Sequence, residues 1–88
     1  MVTKKIEITN SVGLHARPAT YFIQEANKYK SAITVKNDMR RVNAKSLLGV
    51  LSLGIIQGMT IELEAEGPDE VEAINGLADL VENGLGKE

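Results

Sequence analysis

The chain has 88 residues, a formal net charge of -2, 43% hydrophobic residues, no cysteine and one histidine. This length predicts a single domain over residues 1–88, and the cysteine and histidine counts exclude disulfides and argue against a zinc site. The slight negative charge and the 3% aromatic content count against direct nucleic-acid binding. Because we see no apolar run with the length of a signal peptide or a membrane span, we expect a cytoplasmic protein without membrane insertion.

The first half of the chain carries alternating strand and helix signals. Alternating apolar and polar residues predict a strand over residues 5–9. Apolar residues at helical spacing then predict a helix that begins at about residue 16 and ends at residue 27 or 28. A second strand is predicted over residues 32–36, and a short third strand follows a turn and covers residues 40–43.

The second half predicts a short helix, a strand and a longer helix. Ser46 precedes a cluster of leucines, which is typical of a serine N-cap, and Gly54 is expected to end that helix. Residues 60–66 alternate almost without error and form the clearest strand signal. The last helix is predicted to have Pro68, Asp69 and Glu70 in its first turn and to end at Asn83-Gly84. Its predicted apolar stripe consists of Val71, Ile74, Leu77, Ala78 and Val81.

The predicted order is strand, helix, strand, strand, helix, strand, helix. Strands with a single apolar face are covered on one side only, so the three helices should lie on one face of a mainly antiparallel sheet. A first crossover that leaves room between its two strands would place the 60–66 strand between them. The sequence therefore predicts an α+β fold of the split βαβ type.

The run Gly13-Leu14-His15-Ala16-Arg17-Pro18-Ala19-Thr20 is the strongest candidate for a chemical site. It contains the only histidine, placed where a loop enters a helix. The backbone amides of Ala16 and Arg17 are expected to point out of the helix end, where they and the guanidinium of Arg17 would bind an anion. A neutral imidazole beside an anion site suits phosphoryl acceptance, so His15 is the predicted acceptor and Arg17 the predicted phosphate contact.

Taken with Asn43-Ala44-Lys45-Ser46-Leu47-Leu48-Gly49-Val50-Leu51-Ser52-Leu53-Gly54, this run resembles the HPr family of histidine-containing phosphocarriers of the bacterial sugar phosphotransferase system. The resemblance covers essentially the whole chain. It implies an open-faced β-sandwich of βαββαβα order, with a four-stranded antiparallel sheet and three helices on one face. It also implies that His15 accepts a phosphoryl group from enzyme I through Nδ1 and passes it to the IIA components of sugar permeases. On this interpretation the chain is a substrate of enzymes and needs no cofactor or metal.

The resemblance further implies regulation at Ser46. In relatives of the Gram-positive type, the matching serine is phosphorylated by the HPr kinase/phosphorylase, and the product acts with catabolite control protein A in carbon catabolite repression. A capping role for the Ser46 hydroxyl is compatible with this modification, because a phosphate at a helix N-terminus should be tolerated.

A docking surface for several partners is predicted beside His15. A two-turn helix cannot bury every apolar residue of its segment, so Leu47, Leu48 and Leu51 are expected to be partly exposed. In the family such a surface also includes positions on the first helix, and it is ringed by cations. The predicted docking residues are Thr20, Gln24, Asn27, Lys45, Leu47, Leu48 and Leu51, with Arg17 at the rim.

Other functions stay open. The chain could serve the parallel nitrogen-regulatory phosphorelay, whose histidine motif is similar, or act as a purely regulatory module like Crh. The presence of His15 argues against the second of these alternatives. An enzyme is disfavoured because the sequence has no Gly-Lys-Ser/Thr phosphate loop and no carboxylate pair near the histidine. A metal chaperone of similar element order would need a cysteine pair.

The charges are unevenly distributed along the sequence. Four cationic residues fall between positions 36 and 45, and six carboxylates fall between positions 62 and 72. This segregation could steer an acidic partner to one side of the molecule, or it could mark two solvated faces.

Overall fold

The structure is a computed structural model that describes residues 1–11, 13–14 and 16–84. The elements are β1 (Val2–Glu7), α1 (Ala16–Ala26), β2 (Ala32–Asn37), β3 (Arg40–Asn43), α2 (Leu47–Ser52), β4 (Thr60–Glu66) and α3 (Glu70–Asp79), and a π-helical turn over Leu80–Gly84 follows. The predicted order of elements is therefore confirmed. Within the described ranges, no helix is both long and apolar enough to cross a bilayer.

The four strands form one antiparallel sheet in the order β1-β4-β2-β3. β4 pairs with β1 from Glu7↔Thr60 to Val2↔Ala65, and with β2 from Lys36↔Glu62 to Ala32↔Glu66. The prediction that the 60–66 strand lies between the first two strands is confirmed.

The core lies between the sheet and the three helices, which cover one of its faces, and the α+β prediction is confirmed. Each strand turns alternate side chains toward this layer because side chains point to opposite faces of a strand with period two. The buried side chains of the strands are Ile6, Ile33, Val35, Ile61, Leu63 and Ala65, and the helices contribute Ala19, Phe22, Ala26, Val50, Ala73, Ile74, Leu77 and Ala78.

The prediction for β1 was wrong in its bounds. The strand begins at Val2 and ends at Glu7 because its extent follows its pairing with β4 and not the local alternation of residues. Ile8 nevertheless continues the pairing without regular strand geometry. Its amide donates to the carbonyl oxygen of Met59 (2.8 Å), and its own carbonyl accepts from the amide of Gly58 (2.8 Å).

Two helix predictions also need correction. α1 ends at Ala26, although the amide of Asn27 still donates to the carbonyl of Ile23 (3.0 Å), so the following residues form a turn. α3 begins at Glu70, because Asp69 is its N-cap, so Pro68 lies outside the helix and not in its first turn. α3 ends at Asp79 and not at Asn83, because its last turn widens into the π-helical turn.

The predicted stripe of α3 contains one error. Val71 is 54% exposed, whereas Ala73 is fully buried. The buried face is centred near Leu77 and Val81, and at 3.6 residues per turn Val71 lies roughly 100° from that centre. Ala73 lies closer to the centre, so its small side chain packs against the sheet.

Candidate functional site

The start of α1 is the centre of the candidate site. The helix begins at Ala16, directly after the predicted acceptor in the chain, and its first turn contains no acidic residue. Pro18 fits this turn because the first amides of a helix have no carbonyl partner within it. Pro18 and Ala19 are buried and Arg17 is exposed. His15 itself lies outside the described residues, as do Val12, the side chain of Ala16 and residues 85–88.

The loop before α1 is fixed by hydrogen bonds that the sequence did not reveal. The side-chain amide of Asn10 donates from Nδ2 to the carbonyl oxygen of Gly13 (2.9 Å), and the amide of Gly13 donates to the carbonyl of Asn10 (3.2 Å). The amide of Leu14 donates to the carbonyl of Ile55 (3.0 Å), and the Leu14 side chain is fully buried. The sequence indicated Asn10 only as a residue that ends a strand, and it did not predict the contact of Ile55 with Leu14.

Gly13 has the conformation and the space that only glycine supplies. Its φ is +71°, in the left-handed region that L side chains rarely adopt. A Cβ atom at this position would overlap the carbonyl oxygen of Ile55 and lie 2.8 Å from the Cα of Ile56. The close approach of these two chain segments therefore depends on the missing side chain.

Ser46 is the N-cap of α2, as the sequence predicts. Its backbone is extended (φ -106°, ψ 115°), and its Oγ accepts a hydrogen bond from the amide of Gly49 (3.1 Å). Gly49 also keeps this region compact, because a Cβ there would lie 3.2 Å from the Ser46 Oγ and 3.3 Å from the Cβ of Val42. The hydroxyl of Ser46 is half-buried and already engaged in the cap.

The leucines of α2 divide between the core and the surface. Leu48 is 81% exposed and Leu47 is 42% exposed, whereas Leu51 is half-buried and Val50 is fully buried. The expected exposure of the α2 leucines is therefore confirmed. α2, which carries these leucines, packs against α1.

The docking residues predicted on the first helix are all exposed, two of them on α1 and one in the turn after it. Thr20, Gln24 and Asn27 follow each other at intervals of four and three residues, and all three are exposed. Asn27 also donates from Nδ2 to the carbonyl of Ile23 (2.9 Å). Lys45 is half-buried, and its ammonium donates to the carbonyl of Tyr29 (2.7 Å), just beyond the C-terminal end of α1.

The C-terminal end of α2 is held by Arg40, which sequence reasoning assigned only to a charged cluster. Its guanidinium donates to the carbonyl oxygen (2.6 Å) and the hydroxyl (3.1 Å) of Ser52. The Ser52 hydroxyl in turn donates to the carbonyl of Gly49 (2.6 Å). Because cations stabilise the negative end of a helix, this contact supports the short helix that carries the exposed leucines.

Two resolved pKa shifts belong to Glu64 in β4 and to Tyr29 in the turn after α1. The hydrogen bond from Lys36 lowers the pKa of Glu64, and the charge of Arg41 adds to this effect. The hydrogen bond to Glu25, followed by burial, raises the pKa of Tyr29 to about 12. The described part of the chain contains no group of three His, Cys, Asp or Glu side chains that could hold a metal ion.

The sequence model of the family described as PTS HPr component phosphorylation site matches residues 2–83. The chain belongs to the HPr family. This is a family of phosphocarriers of the phosphotransferase system and not of catalytic enzymes.

Individual HPr-family relatives match over nearly their full lengths. The chain is 48% identical over 82 residues to the HPr-like protein Crh of Halalkalibacterium halodurans, covering 93% of this chain and 98% of that protein. It is 42% identical over 87 residues to the phosphocarrier protein HPr of Neisseria meningitidis serogroup A, covering 99% and 98%. The crystal structure of HPr-C-His from Thermoanaerobacter tengcongensis superposes with a TM-score of 0.96 at 52% identity, covering 100% of this chain and 99% of that chain.

Proposed function

We propose that this chain carries phosphoryl groups in the phosphoenolpyruvate-dependent sugar phosphotransferase system. His15 accepts the group from enzyme I and passes it to IIA components, and residues 1–88 act as a single domain in the cytoplasm. The observation that carries the proposal is the HPr-family match over residues 2–83, which includes a histidine directly ahead of a helix start.

The chemistry follows from the groups at the start of α1. A lone pair on Nδ1 of His15 attacks phosphorus, so an N–P bond forms while the bond from phosphorus to the donor breaks. The product is a phosphoramidate, which keeps a high transfer potential. Arg17 and the amides of Ala16 and Arg17 stabilise the phosphoryl oxygens, and the helix end contributes about 0.3–1 kcal/mol. This stabilisation suits a carrier, which must hold the group without hydrolysing it.

Labelling with enzyme I and radiolabelled phosphoenolpyruvate tests this proposal. We expect one acid-labile, base-stable phosphoryl group per chain and none in His15→Ala. Ser46→Ala is the matched control and should still take the label. Label that persists in His15→Ala would move the acceptor to another residue, and an unlabelled wild-type chain would favour the nitrogen-regulatory phosphorelay or a Crh-like regulatory role.

We also propose that Ser46 is a regulatory phosphorylation site for the HPr kinase/phosphorylase. Two observations support this second role: the Ser46 hydroxyl lies at the N-cap of α2, and Crh proteins are among the relatives. A phosphate there would carry roughly -1.5 to -2 charges at a helix start, where negative charge is tolerated. Its charge would disfavour docking of enzyme I, and the phosphorylated form would serve as partner of catabolite control protein A in carbon catabolite repression.

Incubation with the kinase and ATP tests the regulatory role. The expected product is an acid-stable phosphate ester that is absent in Ser46→Ala and present in Ser52→Ala, which removes a different α2 hydroxyl. The absence of any ester in the wild-type chain would remove this role and leave the carrier function unaffected.

The docking surface proposed for these partners comprises Arg17, Lys45, Thr20 and Gln24 on α1, Asn27 in the turn after it, and the leucines Leu47, Leu48 and Leu51. Its support is the exposure of Leu47 and Leu48 on α2, which packs against α1, together with the exposure of Thr20 and Gln24 on α1. An apolar patch with cations at its rim suits brief encounters with several acidic partners in turn.

A further inference from the structure

Asn10 is a buried polar residue that precedes the proposed acceptor in the chain. It is 8% exposed, and its Nδ2 donates to the carbonyl of Gly13. Its Oδ1 is buried and accepts no hydrogen bond from the described residues. A buried polar side chain costs folding free energy unless it is hydrogen-bonded, so the bond to the Gly13 carbonyl is what offsets the burial of Asn10.

Asn10 and Ile55 together fix the two residues that precede the acceptor in the chain. Its side chain and its backbone carbonyl both bond to Gly13, and the next residue, Leu14, is anchored by the carbonyl of Ile55 and by complete burial. On the other side of the acceptor, Ala16 begins a regular helix. The described residues on either side of position 15 in the chain are therefore both fixed by contacts.

From this arrangement we propose that Asn10 is a positioning residue for phosphoryl transfer at His15. It acts through the Gly13 carbonyl and the Leu14 backbone and does not itself touch the phosphoryl group. The inference rests on the proposed carrier function, since it assumes that His15 is the acceptor.

Preorganisation of the loop backbone matters because in-line attack on phosphorus requires the attacking atom to be accurately placed. A displacement of about 1 Å costs up to about 100-fold in rate even when its cause is remote from the reacting atoms. Without the Asn10 side chain, the Gly13 carbonyl would lose its bond and the loop would sample other conformations. The docking surface on α1 and α2 would stay unchanged.

Single-turnover transfer from phosphorylated enzyme I, followed by rapid quench at several chain concentrations, separates these effects. For Asn10→Ala we expect the saturating transfer rate to fall at least about tenfold, with the half-saturating concentration unchanged within about twofold. Ser31→Ala is the matched control. Ser31 is also a buried polar residue, but its hydroxyl bonds Asp69, which precedes α3. The Ser31→Ala variant should be less stable than the wild-type chain but should transfer the phosphoryl group at the wild-type rate.

Asn10→Ala with a wild-type saturating rate would overturn the inference, and so would an equal loss of rate in Ser31→Ala. If Asn10→Ala does not fold, hydrogen exchange of the unaltered chain decides. We expect the Leu14 amide to be protected like that of Ile8, and free exchange of the Leu14 amide would refute a held loop. In each case, labelling of the unaltered chain by enzyme I shows that the carrier function stands independently.

Discussion

Arg17 has an exposed side chain in the first turn of α1, and a guanidinium can bind two phosphoryl oxygens at once. Hydrogen bonds to charged groups contribute about 1.5–3 kcal/mol, so Arg17→Ala should slow transfer from enzyme I by roughly 10- to 150-fold. Arg17→Lys keeps the charge but loses the two-pronged geometry, and an intermediate rate is expected. Rapid-quench transfer assays measure both variants.

The graded result is what distinguishes phosphate binding from a general electrostatic effect. If Arg17→Lys transfers at the wild-type rate while Arg17→Ala is slow, only the charge matters and the bidentate contact is absent. Equal wild-type rates in both variants would remove Arg17 from the site.

Gly13 and Gly54 offer a matched pair for the loop before α1. Both have positive φ (+71° and +63°), but a Cβ at Gly54 meets no atom within 4 Å, whereas one at Gly13 overlaps the Ile55 carbonyl. Gly54→Ala should therefore cost only the conformational strain, about 1–2 kcal/mol of unfolding free energy, and Gly13→Ala should cost clearly more. Urea denaturation gives both values. Equal costs would mean that the Ile55 contact adds nothing.

The sequence predicted the roles of residues that depend on their immediate neighbours in the chain. The Ser46 cap follows from a serine directly before apolar residues, and the helix start at Ala16 follows from a proline in a first turn. The contact of Leu14 with Ile55 could not be predicted in this way. It joins segments that are distant in sequence, next to the paired strands β1 and β4.

Among the elements, α2 is a short helix that is stabilised by contacts with the rest of the fold. Six residues are too few for a stable isolated helix, so its ends and its buried face must supply the stability. Ser46 caps one end, Arg40 binds Ser52 at the other, and Val50 is buried between them. The exposed leucines are thus presented by a helix that depends on the rest of the fold.

The exposure of Leu48 leads to a prediction about docking. Leu48→Glu should slow transfer from enzyme I at least about tenfold through weaker docking, because it places a charge in the apolar contact. The unfolding free energy should change by less than about 0.5 kcal/mol, since the side chain is solvated in the folded chain. Transfer assays over a range of enzyme I concentrations and urea denaturation measure the two effects.

Val71→Glu is the matched control, because Val71 is an exposed apolar residue on α3 outside the proposed surface. It should leave the transfer rate unchanged. A slow Val71→Glu together with a normal Leu48→Glu would place the docking surface on α3.

The same comparison shows why helix faces are predicted less well than helix positions. Periodicity correctly placed Ile74, Leu77 and Val81 in the core, but the edge of the stripe depends on how the helix is rotated against the sheet. That rotation buries Ala73 in the core and exposes Val71 to solvent. Tertiary packing determines this rotation, and the sequence of α3 alone does not predict it.

At the scale of the whole molecule, the segregated charges of the sequence meet on the open face of the sheet. Lys36 pairs with Glu62 (3.3 Å) and Glu64 (2.9 Å), and Arg41 also pairs with Glu64 (3.1 Å). β4 lies beside β2, so the acidic and basic segments form one mixed surface. Neither two separate solvated faces nor a single-sign steering surface describes this part of the molecule.

These pairs predict how stability depends on pH. The pKa of Glu64 is lowered in the folded chain, chiefly by Lys36, so the unfolded chain binds more protons at acid pH. The stabilisation is fully present above the ordinary carboxyl pKa of 4.5 and is lost as the pH falls below that value. Glu64→Gln should therefore lower stability at neutral pH and weaken its decline in acid.

Urea denaturation at a series of pH values between neutrality and acid provides the measurement. Glu82→Gln serves as control, since Glu82 is exposed and forms no ion pair with any residue the structure describes. An acid decline in Glu64→Gln as steep as in the wild-type chain would show that the Glu64 pairs do not contribute.

The central claim is that the phosphoryl group resides on one imidazole nitrogen at the start of α1. Nitrogen-15 NMR of the His15 ring, recorded before and after charging by enzyme I and phosphoenolpyruvate, tests it most directly. The account predicts a phosphorus coupling on Nδ1 of His15 and none on Nε2. An unchanged ring spectrum in a chain that has taken up one phosphoryl group would contradict it.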